Sequence, residues 1–206
     1  MDVLAQSLSV LDYAAVAVFG ATGALAAARR KHDIVTFGFF AAVTGVGGGT
    51  LRDLLIGAPV FWVHRPAYVV VTLGAALAIW VFGWGRRGER ILTWLDAVGM
   101  AAYAVVGALK ALSMGLPPFS AVVMGVLTAT FGGIIRDVLA EEPSVLLRRE
   151  LYVSAALAGA AAFAVLRLLG LEILPASLTG FAIALLVRAG AIVFGWQMPA
   201  FPGRGR

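Results

Sequence analysis

Long apolar runs alternate with short polar breaks along the whole chain. A helix needs about 20 residues to cross the hydrocarbon core of a bilayer. Seven runs approach that length, at about 10–28, 34–51, 66–84, 91–112, 119–139, 151–169 and 174–194. The connections between them leave no room for a soluble domain. The pattern predicts an all-α integral membrane protein with seven transmembrane helices. Residues 198–206, rich in Pro and Gly, are expected to form a flexible tail.

The apolar pattern repeats. At a constant offset of 84 residues and with no gap, Asp12 matches Asp96, Gly23-Ala24-Leu25 matches Gly107-Ala108-Leu109, and Thr44 matches Thr128. In the same register Gly48-Gly49 matches Gly132-Gly133, Arg52-Asp53 matches Arg136-Asp137, and Pro59, Arg65 and Tyr68-Val69 match Pro143, Arg149 and Tyr152-Val153. Alanine-rich runs match by chance; Asp, Arg-Asp, Pro and Arg in one register do not. The expected organisation is a single membrane domain over 1–206, with repeat one at 8–85, repeat two at 91–170, a seventh helix at 171–197 and the tail. Each repeat holds three spans. An odd number sends the second copy into the membrane from the opposite side, so the two copies form an inverted pair.

Composition supports the membrane assignment. Of 206 residues, 61% are hydrophobic before the 25 glycines are counted, and mean hydropathy is +0.95. Soluble domains hold roughly 45–50% apolar residues with glycine included. The absence of cysteine excludes disulfides, thiol catalysis and thiolate metal sites. No basic segment precedes the first run, so no cleaved signal peptide is expected. The net charge of +5 resides mainly in connections, where it sets topology rather than binding nucleic acid. One side receives Arg29, Arg30, Lys31, Arg86, Arg87, Arg90, Arg148, Arg149, Arg204 and Arg206; the other receives little beyond Arg65 and Arg167. The positive-inside rule then puts the C-terminus in the cytoplasm of a cell with this protein in its inner membrane, and the N-terminus outside.

Candidate chemistry gathers at the two glycine stretches. Gly45-Val46-Gly47-Gly48-Gly49-Thr50 is neither a dinucleotide fingerprint nor a phosphate loop. Two readings follow. Small residues permit close helix packing. Alternatively, Gly47, Gly48, Gly49, Gly132 and Gly133 break two helices, and freed carbonyls, with the Thr44 and Thr128 hydroxyls, line a hydrophilic path. The duplication favours the second. Beyond each stretch lies a costly intramembrane charge pair, Arg52-Asp53 or Arg136-Asp137. Asp12 and Asp96 fall near the starts of their spans, where a helix dipole favours an anion, and at the depths of Arg52 and Arg136. The expected pairs are Asp12 with Arg52 and Asp96 with Arg136. Lys110 has no counterpart, since Ala26 stands at the matching position. It reads either as a snorkelling anchor or as a charge in the membrane field. Arg188 reads as a snorkeller at the cytoplasmic face. With no nucleophile–base pair, metal cluster or acid–base carboxylate pair, neither enzyme activity nor a cofactor is expected.

Gly-Gly-Gly-x-x-Arg-Asp in the second span and Gly-Gly-x-x-Arg-Asp in the fifth, within a three-plus-three-plus-one arrangement, resemble the prokaryotic branch of the TRIC family, the trimeric intracellular cation channels. The resemblance covers nearly the whole chain. It implies a homotrimer in which each protomer has its own pore for potassium or other monovalent cations. It also implies that the second and fifth helices, kinked at their glycines, line the pore with the first and fourth. Phe131 stands where the first copy has Gly47, so the two helices need not bend equally. Animal members carry basic residues on the fourth helix associated with voltage response, and Lys110 is the candidate analogue. The same prokaryotic sequences are also grouped under a glycine-transporter label. The rival reading is therefore a secondary transporter of a small amino acid such as glycine, which inverted repeats with broken helices fit equally well. A third reading is an assembly protein without conduction.

Overall fold

A computed structural model describes residues 3–83, 88–147 and 150–199. Helices occupy all seven positions marked by the apolar pattern: α1 (Val3–Arg29), α2 (Ile34–Leu55), α4 (Ala67–Phe82), α5 (Gly88–Ser113), α6 (Pro118–Leu139), α7 (Val153–Leu168) and α8 (Ile173–Phe194). A four-residue helix, α3 (Phe61–His64), follows α2. A 3-10 turn, Val145–Leu147, stands in the corresponding place after α6. Among the described residues, four helices are long and apolar enough to cross a membrane, namely α2, α5, α6 and α8, while α4 and α7 are shorter apolar helices. The expected tail from 200 onward, and the basic residues Arg86, Arg87, Arg148, Arg149, Arg204 and Arg206 used for topology, lie outside the described residues.

Local chemistry sets the helix ends. Asp33 caps α2 by accepting from the Thr36 amide at 2.9 Å. Because this bond favours the ionised cap, the Asp33 carboxyl is held below its ordinary value. Pro118 opens α6, where its missing N–H costs nothing. Gly195 ends α8 in the left-handed region at φ 68°.

α1 and α5 form the centre. α1 packs on α2, α4 and α5; α5 packs on α6, α7 and α8; and α2 crosses α6. The facing surfaces are largely alanine. Ala24, Ala26, Ala27, Ala97, Ala101, Ala104 and Ala108 are fully buried, which lets helices approach without a hydrophobic drive between them. The Gly159-Ala160 face is used up inside the chain: a Cβ on Gly159 would stand 2.6 Å from the Ala184 Cβ and 2.7 Å from the Gly180 carbonyl oxygen, on α8. Large apolar side chains such as Val70, Leu77, Val81, Leu178 and Leu186 face outward. A surface this apolar suits contact with lipid.

Candidate functional site

The end of α2 builds the first charge cluster. Arg52 and Asp53 are 2% and 0% exposed. Arg52 Nε donates to Asp53 Oδ1 at 2.8 Å, and Lys110 Nζ donates to the same oxygen at 2.7 Å. Asp53 Oδ2 accepts the Phe61 amide at 3.0 Å, which anchors α3 beneath the cluster. Asp12 accepts from the Tyr68 hydroxyl at 2.7 Å.

The end of α6 builds the second cluster. Arg136 is fully engaged: Nε and Nη2 both donate to Asp137 Oδ1, at 3.0 and 2.8 Å, while Nη1 donates to Asp96 Oδ1 at 2.6 Å and to the Thr22 hydroxyl at 3.1 Å. Asp137 Oδ2 accepts the Val145 amide at 2.8 Å, as Asp53 accepts that of Phe61. Further ion pairs close this end. Arg29 meets Glu142 at 2.8 Å, and Arg188 meets Glu150 at 2.9 Å.

α2 and α6 cross between the clusters. A Cβ on Gly48 would overlap the Thr128 carbonyl oxygen, and one on Gly132 would stand 2.6 Å from the Thr44 carbonyl oxygen. The contact is reciprocal: each glycine faces the threonine carbonyl of the other copy. Thr44 and Thr128 are both fully buried there. The Thr128 hydroxyl donates to the Met124 carbonyl at 2.6 Å. The Phe19 and Tyr103 rings stack nearby at 5.2 Å, and the Tyr103 hydroxyl donates to the Gly45 carbonyl at 2.9 Å.

Each cluster borders a cavity. The larger, about 500 Å³, includes Asp12, Arg52, Phe61, Arg65, Tyr68 and Lys110 in its wall. The smaller, about 210 Å³, includes Arg29, Glu89, Asp96, Arg136, Asp137 and Glu142. They sit at opposite ends of both α1 and α5, and the α2–α6 crossing lies between the two Arg-Asp pairs.

Several expectations need correction. α2 and α6 stay helical through Gly47, Gly48, Gly49, Gly132 and Gly133, so these residues do not interrupt the helices. They pack instead: Gly47 faces Ile135, Gly49 faces Phe61, and Gly133 faces the Tyr152 hydroxyl. The reason is spatial, since a side chain at the crossing would meet backbone. Asp12 does not pair with Arg52, because Asp53 lies within Arg52's reach on the same helix and Tyr68 takes Asp12. Neither Asp12 nor Asp96 sits in a first helical turn, because α1 begins at Val3 and α5 at Gly88. The dipole argument for them fails. Arg188 does not snorkel; it is 3% exposed, pairs with Glu150 and lies over the Tyr152 ring at 5.1 Å. Lys110, read from sequence either as a snorkelling anchor or as a charge in the membrane field, is tied to Asp53 at 2.7 Å. Sequence reasoning missed Thr22, Phe61, Glu142 and Glu150 as partners. Tyr68 and Tyr152 were visible only as repeat matches.

Fold and site together define an all-helical membrane protein with a buried arginine–aspartate cluster toward each end of its core. Known proteins are similar in sequence and fold. The family model described as glycine transporter matches twice, over residues 9–84 and 93–167. The chain is 38% identical to a UPF0126 membrane protein of Vibrio cholerae, over 94% of this chain and 82% of the relative. It is 37% identical to the UPF0126 inner membrane protein YadS of Escherichia coli K12, over 93% and 94%. Its structure is similar to that of the TRIC trimeric intracellular cation channel orthologue from Rhodobacter sphaeroides, with TM-score 0.89, 50% identity, and 92% of this chain and 99% of that chain covered. A prokaryotic TRIC channel crystallised in 0.5 M KCl superposes with TM-score 0.86 at 25% identity, over 94% and 99%. The chain belongs to this glycine-transporter, or TRIC, family.

Proposed function

We propose that the protein is a monovalent cation channel of the inner membrane, permeable to potassium, with a pore in each protomer of a homotrimer. The observation that carries this reading is the pair of charged cavities at opposite ends of α1 and α5, set in a fold 50% identical to a channel described as trimeric and cation-conducting. The path joins the cavities past the α2–α6 crossing, with α1 and α5 as its other walls. Seven helices span the membrane, and residues 9–84 and 93–167, matched by one family model, form inverted halves. The N-terminus is outside and the C-terminus cytoplasmic.

On this reading the tight α2–α6 crossing, where a Cβ on Gly48 or Gly132 would meet a facing carbonyl, corresponds to a closed path. Cations would pass Thr44, Gly48, Thr128 and Gly132 only after the crossing loosens and carbonyl or hydroxyl oxygens there turn to replace hydration water. Arg52 and Arg136 oppose cations, and Asp53, Asp96 and Asp137 neutralise them. Both arginines already lie on their acids in this structure, and opening would have to keep them there as the crossing loosens.

The test is planar-bilayer recording of the purified trimer in potassium chloride. Discrete current steps with a cation-selective reversal potential are expected. Silence together with saturable glycine uptake into proteoliposomes would replace this reading with the carrier that the family description names.

A further inference from the structure

Unpaired polar atoms gather at one end of the core. Among the described residues, six buried side-chain nitrogens or oxygens have no hydrogen-bond partner, and four of them lie at the end bearing Arg136: Arg29 Nε, Asp96 Oδ2, the Tyr152 hydroxyl and Arg188 Nε. The Tyr152 hydroxyl stands beside Asp96. Arg29, Asp96 and Arg188 line the cavity of about 210 Å³ there, and Asp96 and Arg188 are only 2% and 3% exposed. Buried polar groups without partners are costly, so the cavity calls for a polar occupant.

Charge narrows the choice. Five acids line the cavity, Glu89, Asp96, Asp137, Glu142 and Glu150, against three arginines. Arg29 offsets Glu142, and Arg188 offsets Glu150. Arg136 is shared by Asp96 and Asp137, which leaves one negative charge there. Exposed Glu89 makes no ion pair among the described residues and supplies a second. Glu89, Thr93 and Asp96 line the cavity from one face of α5. The rise from Glu89 at the mouth to buried Asp96 is about 10 Å along the helix axis. Ala5 stands at the position matching Glu89 in the first copy, so the duplication supplies no second stripe of this kind.

We infer that this cavity binds a hydrated divalent cation, magnesium being the best fit, held through its water shell between Asp96 and Glu89. Two positive charges match the two uncompensated negative ones. Among the described residues no three acids converge closely enough to grip a bare ion. That argues against calcium, which takes about six to eight oxygen ligands, whereas magnesium gives up water reluctantly and keeps several. A shell of about six waters, at roughly 30 Å³ each, occupies about 180 Å³, which the cavity accommodates. Shell waters donate to Asp96 Oδ2 and Glu89, and the remaining cavity water accepts from Arg29 and Arg188. A free amino acid fits less well, because a zwitterion leaves both negative charges standing.

The functional consequence rests on the channel reading. A hydrated ion does not pass the α2–α6 crossing, where glycines meet facing carbonyls. Magnesium drawn into this cavity therefore stops there and blocks the path from one side, cytoplasmic on the proposed topology.

Binding and conduction are tested separately. Manganese(II) serves as the probe, because it takes the same oxygen ligands as magnesium and its electron paramagnetic resonance separates free from bound ion. Purified protein in detergent should bind one manganese per protomer, and magnesium should displace it. Electron–nuclear double resonance of water protons should find a nearly complete water shell. Glu89→Gln should weaken binding about fivefold, the weight of one exposed charge. Thr93→Leu, which narrows the cavity without changing a charge, should weaken it as well. Glu172→Gln, at an exposed acid preceding α8, should not. No binding leaves the cavity to water alone and overturns the proposal. Unchanged affinity in Glu89→Gln or Thr93→Leu, or an equal loss in Glu172→Gln, reduces the effect to diffuse counter-ion attraction and also overturns it. Three or more protein oxygens directly on manganese, or displacement by putrescine at the same concentration as by magnesium, overturns the fit to a hydrated ion. In planar bilayers, magnesium on the side that Glu89 faces should reduce current most at voltages that drive cations into the cavity. Glu89→Gln should need about fivefold more magnesium for the same block, and magnesium on the other side should block less. Binding without current under any condition supports the site and overturns the channel reading. Current without binding or block does the reverse.

Discussion

Arg52 and Arg136 occupy the same place in two copies of one motif, and they differ in company. Arg136 uses three nitrogens on Asp137, Asp96 and Thr22. Arg52 makes one side-chain bond, to an Asp53 oxygen that Lys110 shares. The difference comes from the other copy's α1 or α5. Thr22, which bonds Arg136, corresponds to Val106, a methyl surface with nothing to offer Arg52. Lys110, which bonds Asp53, corresponds to Ala26, which offers Asp137 nothing. Two substitutions thus help make one arginine a fixed strut and the other loosely held, and the rest of the difference lies in Asp12, which takes Tyr68 while its counterpart Asp96 takes Arg136. The α2–α6 crossing lacks this asymmetry, since Gly48 and Gly132 meet opposite threonine carbonyls in the same way. Under the channel reading, the scaffold is symmetric and the gate is not. On that reading, the end bearing Arg52 is the one that would move.

The largest expected effect tests that contrast directly. Arg136→Gln strands Asp96 and Asp137 in a buried site and should cost about 3–5 kcal/mol, as breaking a buried ion pair does. Arg52→Gln should cost about half as much, because Lys110 still neutralises Asp53. Denaturant unfolding of both variants in detergent measures the difference. Equal losses would erase the distinction between strut and loose partner.

The tyrosines sharpen the comparison. Tyr68 donates to the Asp12 carboxylate, whereas its counterpart, the buried Tyr152 hydroxyl, stands beside Asp96 without a well-formed hydrogen bond. A hydrogen bond to a charged group contributes about 1.5–3 kcal/mol, so Tyr68→Phe should destabilise by that amount. Tyr152→Phe should cost less than Tyr68→Phe, because no well-formed hydrogen bond is lost. A loss at Tyr152 matching that at Tyr68 would mean the second cluster depends on that hydroxyl.

The crossing provides the symmetric control. Gly48→Ala and Gly132→Ala each push a methyl group against a carbonyl on the facing helix, and overpacking of this kind costs about 1–3 kcal/mol. The two losses should agree in the same unfolding experiment. A variant that assembles should also change single-channel conductance, since the crossing lies on the proposed path. Unequal losses would show that the halves differ in their scaffold as well as their charges.

How much of this was legible in the sequence follows from the range of each interaction. The helices were legible because a bilayer-length apolar run is a local signal. The duplication was legible because Asp, Arg-Asp, Pro and Tyr recur in one register. The Asp96–Arg136 contact could be read from depth along two helices. Depth alone failed for Asp12, because it ignores rotation about the helix axis and the nearer acid at Asp53. The glycines were legible as special, and packing was one of the two readings the sequence offered, but the duplication favoured the other. A glycine that bends a helix and one that lets a neighbour approach look alike until the neighbour is placed. Thr22 and Glu142 gave no signal at all, because their partners are more than a hundred residues away.

A small stability effect belongs to Lys110, and it separates two roles for the asymmetry. Lys110 is 29% exposed at its side chain, and Asp53 keeps Arg52 when Lys110 is lost. Lys110→Gln should therefore cost no more than about 1 kcal/mol. Its effect on gating should be larger than its effect on folding. A full charge crossing the membrane field gains about 2.3 kcal/mol per 100 mV, and Lys110, near one end of α5, senses only part of that drop. Even a fraction is enough to bias a lysine between holding Asp53 and releasing it, and release leaves Asp53 wholly to Arg52. The open probability of Lys110→Gln should therefore vary less steeply with voltage. Its reversal potential should match wild type, because the crossing that strips the ion is untouched. An unchanged voltage curve would make Lys110 a static partner of Asp53 and remove the moving part from the asymmetric end. Placing a lysine at the matching position, Ala26→Lys, gives the converse test. It should add a competitor for Asp137, loosen Arg136 and make the two ends alike. Voltage dependence that stays as steep in Ala26→Lys would mean that one loosely held arginine is sufficient, whichever way the second is held.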